Sequence, residues 1–258
     1  GRLRNNKLFE NQLVHIAVDG VLTRSVRDTS YFYHEAEKLY QNPKLPSIGL
    51  VNRPSGKKLK IGFTADSVRG MGADEKSRQE LQKTVALIES MGHTVKPVEL
   101  AVKDQFIEDF SAVWAMNAFF MNKFGKALFE KAFNKKDVSN LTKELSKYYA
   151  KNFQKTVAIS RRMKKTYHEY AQMFSNLDVD VFITPTVASP APEIGHFGMN
   201  LDFDTLFERM MNWACFTPYG NASGGPSISL PIGFDEHNGL PIGMLFWASH
   251  GQESLLPV

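Results

Sequence analysis

The stretch "YGNASGGPSISLP" at residues 219–231 sets three serines around a glycine pair, a combination that acyl-transfer sites use. A serine nucleophile needs a base to take its proton, a group to orient that base, and N–H donors for the developing oxyanion. The local sequence supplies no such set. Ser223 follows "NA", so the Gly-x-Ser-x-Gly elbow that presents a nucleophile between strand and helix is missing. By spacing alone, "NASGGPS" reads as a turn in which Gly224 and Gly225 allow positive φ or close backbone approach. "SGGPS" also lacks the Lys-Ser/Thr end of a P-loop, and Pro226 removes one amide donor from any phosphate cradle.

Other chemistries fare no better. The seven histidines are scattered, with no pair at helical ligand spacing. The single cysteine, Cys215, excludes an intramolecular disulfide and a cysteine-based zinc site. His168 and Glu169 are neighbours on a helical stretch and therefore point apart. The pairs Asp178/Asp180 and Asp202/Asp204 fall at element edges, where caps and solvated turns account for them. Neither a metal nor a cofactor is expected.

Composition bounds the class. With 43% hydrophobic and 22% charged residues, the 258-residue chain reads as an ordinary globular protein able to bury a substantial core. A net charge of +4 is small, and the basic runs "GKKLK" (56–60) and "RRMKK" (161–165) come without a recognition motif. They read as solvated faces, and no nucleic-acid partner is expected. There is no apolar run of bilayer length and no charged-then-apolar leader, so the expectation is no membrane partner and a cytoplasmic location. The opening "GRLRNNK" carries no methionine and suggests that an N-terminal part has been removed.

The positioning elements follow from periodicity. Ser25 with Asp28 signals a helix start, Phe32, Ala36 and Leu39 share a face, and Pro43 ends the run. "KKLKIGF", the helix around Leu81, Val85 and Ile88 ending at Gly92, and "HTVKPVEL" form a βαβ unit with a parallel pair. Residues 104–133 and 139–175 repeat apolar positions at helical spacing, from Ile107, Phe110 and Trp114 to Tyr167 and Phe174. "DVDVFITPTVASPAP" is an apolar strand with a Pro-rich exit. After a helix near 203–214, "PSISLPIGF" and "LPIGMLFWAS" pair across "DEHNG". The reading is a single mixed α/β domain over 1–258, helices packed on a mostly buried sheet.

Three stretches in order resemble the amidase signature family: "GVLTRSVRDTS" (20–30), "DVDVFITPTVASPAP" (178–192) and "FTPYGNASGGPSISLPIGFDEHNGLPIGMLFWASHGQESLL" (216–256). The resemblance implies an α/β fold and hydrolysis of carboxylic amide bonds of a small linear or cyclic amide by a Ser, a cis-Ser and a Lys, without a cofactor. In that family the three catalytic residues precede a segment like "GR" at positions 1–2. The chain is then expected to be an incomplete, C-terminal portion of the domain, to carry none of the three, and to be inactive alone. What it would supply is the substrate side: Thr184 and Thr186 at a strand end, Trp213 and Cys215 before the glycine turn, and Asn221, Ser223 and Gly224 within it.

The last third is similar to the aminohexanoate cyclic-dimer hydrolase branch. The amidotransferase members of the family carry an acid near the position of Trp213, and an indole there argues for a bulkier or more apolar amide. A non-catalytic remnant or binding domain, and an amidotransferase subunit, are the alternatives. The abrupt "LLPV" end departs from the family pattern, and a chain lacking its N-terminal half is expected to expose apolar surface and to self-associate.

Overall fold

A computed structural model of the chain describes residues 2–3, 12–100, 102–128, 132–198 and 200–256. Helix α1 (Val26–Leu39) starts where the capping signal puts it, with Ser25 Oγ accepting from Asp28 N at 3.1 Å. Its expected apolar face is not the buried one. Phe32 and Leu39 are exposed, and Ser30 is buried instead, its hydroxyl accepting from Val51 N. Polar ties hold this helix: the Glu37 carboxylate receives the Arg2 guanidinium, the Ser47 hydroxyl and the Ile48 and Gly49 amides. Those donors fix the helix without an apolar seam.

Strand β1 (Lys60–Phe63), helix α2 (Glu75–Ser90) and strand β2 (Thr94–Pro97) form the expected βαβ unit, with Ile61 opposite Val95 in a parallel pair. Asp74 caps α2 by accepting from Ser77 N, and Gly92 follows it at φ +87°. Leu81, Val85 and Ile88 bury against Leu59, Ile61, Val181, Ile183, Ile242 and Met244. Each such buried side chain contributes about 1.5–3 kcal/mol.

Three longer helices follow: α3 (Asp104–Leu128), α4 (Asn140–Asn152) and α5 (Thr156–Leu177). The helical pattern over 139–175 is broken by a 3₁₀ turn at Phe153–Lys155, where Thr156 Oγ1 donates to Phe153 O. The tighter turn rotates the face presented afterwards, so Phe153 and Val157, apolar by period, are left exposed. The expectation for 129–131 lies outside the described residues.

Strand β3 (Val181–Pro185) is buried throughout, α6 (Phe203–Trp213) and α7 (Thr217–Ser223) follow, and β4 (Ser227–Phe234) and β5 (Pro241–Ala248) close the sheet. The order is β2-β1-β3-β5-β4, with β3 parallel to β1 and antiparallel to β5. One face meets α2. The other carries Phe182, Leu245 and Trp247 against Phe110, Tyr170, Phe174, Phe216 and Tyr219. This is the mixed α/β architecture expected from the sequence.

Candidate functional site

In open α/β sheets, ligands settle beyond the carboxyl ends of the strands, where connections diverge. Here β1 has β2 on one side and β3 on the other. Three segments meet at that edge: the loop after β1, the loop after β3, and the joint between α6 and α7. Asp74 N donates to Ala188 O at 2.7 Å, Ala188 N to Trp213 O at 2.8 Å, and Ser67 Oγ to Cys215 O at 2.8 Å. Backbone groups that no strand partner could satisfy are thus paired loop to loop.

The seven candidate residues fall into separate surroundings. Thr184 is fully buried, and its Oγ1 accepts from Trp247 Nε1 at 3.2 Å. Thr186, one turn of the pleat further, is half-buried, with its Oγ1 2.7 Å from Ser229 Oγ across β5. Gly243 lies between them on β5; a Cβ there would meet Thr186 Oγ1 at 3.0 Å and Ser229 Oγ at 3.2 Å. Trp213 donates its indole N–H to Ser189 O at 3.0 Å and stacks obliquely near Phe197. Cys215 is buried among apolar neighbours, and that desolvation pushes its thiol up to about 11, so it rests as an unreactive thiol at neutral pH.

Asn221, Ser223 and Gly224 belong to the end of α7 and its cap. "NASGGPS" is therefore not an irregular turn: a seven-residue helix, opened by Pro218 in its first turn, runs to Ser223 and closes at Gly224 with φ +67°. Asn221 is half-buried and gives its carbonyl to Gly224 N at 3.3 Å. Ser223 is buried; its Oγ donates to Gly220 O at 3.0 Å and accepts from Gly225 N at 3.2 Å. Gly225 leaves no room for a side chain, because the ring of Tyr170 lies against it. The glycine pair thus divides its work, positive φ at the first and close approach at the second.

His250 is the imidazole at this wall. Its Nε2 lies 3.0 Å from Ser223 O, and a carbonyl only accepts, so Nε2 carries the proton. Its Nδ1 is buried without a hydrogen-bond partner, and the ring stacks on Tyr167 at 4.0 Å. Burial lowers its pKa, which keeps it neutral. The imidazole therefore bonds the Ser223 carbonyl, while the hydroxyl proton points to Gly220 O. Among the described residues no group of three metal-ligating side chains occurs.

Sequence reasoning did not single out Ser67, Ser189, Ser229 or Gly243. Ser67 lies in "FTADS" directly after β1, so the strand-end rule that found Thr184 reaches it too. Ser229 becomes visible only when β4 is placed beside β5. A depression of about 250 Å³ lies at the opposite, amino-terminal ends of β1 and β3, beside the exposed Lys60–Asp178 ion pair, away from this constellation.

Comparison with known proteins sets this geometry in a family. The Amidase family model matches residues 1–256. The Mycobacterium leprae protein that bears the amidase name AmiC is 36% identical over 257 residues, covering 99% of this chain and 54% of its own length. A structure of 6-aminohexanoate cyclic dimer hydrolase complexed with substrate superposes with a TM-score of 0.75 at 22% identity, over 91% of this chain and 52% of that one. A bacterial aryl acylamidase of the amidase signature enzymes gives 0.73 at 20% identity, over 100% and 55%. The chain spans about half the length of the curated relatives it matches. With its fold shared and its full described length matched, the chain belongs to the amidase family.

Proposed function

We propose that the protein containing this chain is an amidohydrolase of the amidase signature type. The single observation that carries the reading is the family match over residues 1–256. A Ser, a cis-Ser and a Lys upstream of these residues supply the reaction. The Lys draws the proton through the serine pair, the nucleophilic oxygen forms a C–O bond to the amide carbon, and backbone N–H groups hold the oxyanion. Collapse breaks the C–N bond as the amine takes the relayed proton, and water then hydrolyses the acyl-enzyme.

This chain contributes sheet and cleft wall. Of its seven candidate residues, Thr186, Trp213, Asn221 and Gly224 are half-buried and reach the substrate. Thr184, Cys215 and Ser223 are buried. They act as positioning residues, Thr184 through Trp247 and Ser223 through the α7 cap. The substrate is a small linear or cyclic amide. Trp213, whose side chain offers an N–H already given to Ser189 and no carboxylate, favours an apolar amide over an amidotransferase role.

The test is steady-state hydrolysis of aryl acylamides and of the cyclic 6-aminohexanoate dimer by the product of the complete reading frame. Turnover that disappears when an upstream Ser or Lys is replaced is expected. A complete frame with no upstream Lys and serine pair, or full turnover by residues 1–258 alone, would overturn the reading in favour of a remnant or a different mechanism.

A further inference from the structure

The charge of this protein is unevenly placed. Residues 123–165 hold thirteen Lys and Arg against three acids, while the whole chain carries only +4, so everything outside this segment is net acidic. The segment spans the end of α3, all of α4 and the start of α5. Among its described residues, only Arg162 and Lys147 have side-chain ion pairs, to Asp109 and Glu144. Lys143 is half-buried and donates its ammonium to Lys136 O, and the remaining described cations of the segment are exposed.

Large apolar side chains are exposed in the same place. Phe120, Phe124 and Leu128 form a ridge on α3 at i, i+4 and i+8, the two phenylalanine rings 5.9 Å apart. Helix α4 runs antiparallel along α3, with Asn122 bonded to Ser146 and Phe120 near Tyr149. It carries Lys143, Lys147 and Lys151 at the same helical spacing on its outward side. Phe153, 64% exposed, projects from the 3₁₀ turn that follows. Solvated basic faces are common. Basic faces that also present uncovered phenylalanines are not, because those rings cost free energy in water.

We propose that this helical segment is a docking surface for an anionic lipid bilayer, with lysines on the headgroup charge and phenylalanines at the acyl boundary. The surface is independent of the amidase reading. Lipid is favoured over nucleic acid because the exposed partners of the cations are Phe and Leu rather than polar base-reading groups, and Lys far outnumbers Arg. No helix among the described residues is long and apolar enough to cross a membrane, so the contact is peripheral. The sequence expectation of no membrane partner rests on the lack of a spanning run and of an export leader, and a peripheral contact needs neither.

The experiment is co-sedimentation of the product of the complete reading frame with phosphatidylcholine vesicles and with vesicles containing phosphatidylserine, at low and physiological salt. Binding only to the anionic vesicles, weakening with salt, is expected. The triple variant Lys143→Gln, Lys147→Gln, Lys151→Gln should lower the partition coefficient about a hundredfold, from the usual contribution of each cation near such a surface. Phe124→Ser with Leu128→Ser should weaken the binding that remains at physiological salt. All five positions are on the helix surface or partly exposed, and circular dichroism checks that the helices survive. Absence of binding to anionic vesicles overturns the proposal. So does equal binding by the triple-lysine variant, or displacement of the vesicles by a random single-stranded oligonucleotide at lower concentration.

Discussion

Replacing Gly225 with alanine tests how the α7 cap is seated on the core. A Cβ built there lies 2.5 Å from Tyr170 Oη and closer still to two ring carbons. Tyr170 has little room to retreat. It is fully buried, its hydroxyl donates to Ala248 O at 2.9 Å, and its ring meets Phe174, Tyr219, Trp247 and His250. Overpacking of a filled core costs about 1–3 kcal/mol. If the ring moves enough to lose its bond to Ala248, about 1 kcal/mol more is lost. Gly225→Ala should therefore destabilise by about 2–4 kcal/mol.

Gly224→Ala is the control. That residue has φ +67° and nothing within 4 Å of a Cβ, so its cost is the left-handed backbone alone, about 1 kcal/mol. Urea unfolding of both variants reads the difference. In a Tyr170→Leu background the Gly225 cost should fall to less than about 1 kcal/mol, since the clashing ring is gone. If that background does not fold, the comparison between positions 224 and 225 still decides. Equal costs at the two positions would refute the close approach of ring and backbone.

Further expectations follow from the same wall. Ser223→Ala removes one of the two acceptors of Gly225 N, the other being Gly220 O, and should cost about 1 kcal/mol in urea unfolding. In the product of the complete reading frame the proposed function keeps the variant's turnover within tenfold, and a loss of a thousandfold or more would make Ser223 a reacting group. His250, held neutral by burial, has a folded pKa below its ordinary 6.5. Its contribution to stability is full above that value and is lost as pH falls toward the lower folded value. Urea midpoints taken between about pH 5 and 8 should drop on the acid side, and His250→Gln should flatten that drop. Cys215, buried with its thiol near 11, should resist an aromatic disulfide reagent at neutral pH and react only on unfolding. Rapid labelling of the native chain would show that the joint between α6 and α7 opens.

Legibility differed by kind of signal. The βαβ unit, the β4–β5 pairing and the cap at Ser25 could be read from sequence, because each depends on a few neighbouring residues and a fixed period. The buried face of α1 could not. Its anchors are Arg2 and the amides of Ile48 and Gly49, and apolar periodicity is blind to polar ties that distant. The break at Phe153 was hidden for a related reason, since a single 3₁₀ turn hardly disturbs the pattern yet redirects the helix. At the candidate site, strand ends pointed to Thr184 and Thr186, but only the strand order separates a residue locked beneath Trp247 from one facing Ser229 across Gly243. The short α7 reads as a turn in the sequence because Gly224 and Gly225 dominate "NASGGPS", while Pro218 and the cap at Gly224 define the helix.

Under the proposed function, the nucleophile lies outside these 258 residues and the wall around Ser223 only shapes the cleft. A serine-directed fluorophosphonate, reacted with the product of the complete reading frame and located by peptide mass spectrometry, tests it most directly. The expected adduct is on one serine upstream of Gly1, with turnover lost in proportion to labelling. An adduct on Ser223, or on any serine of this chain, formed with the same proportional loss of turnover, would contradict it.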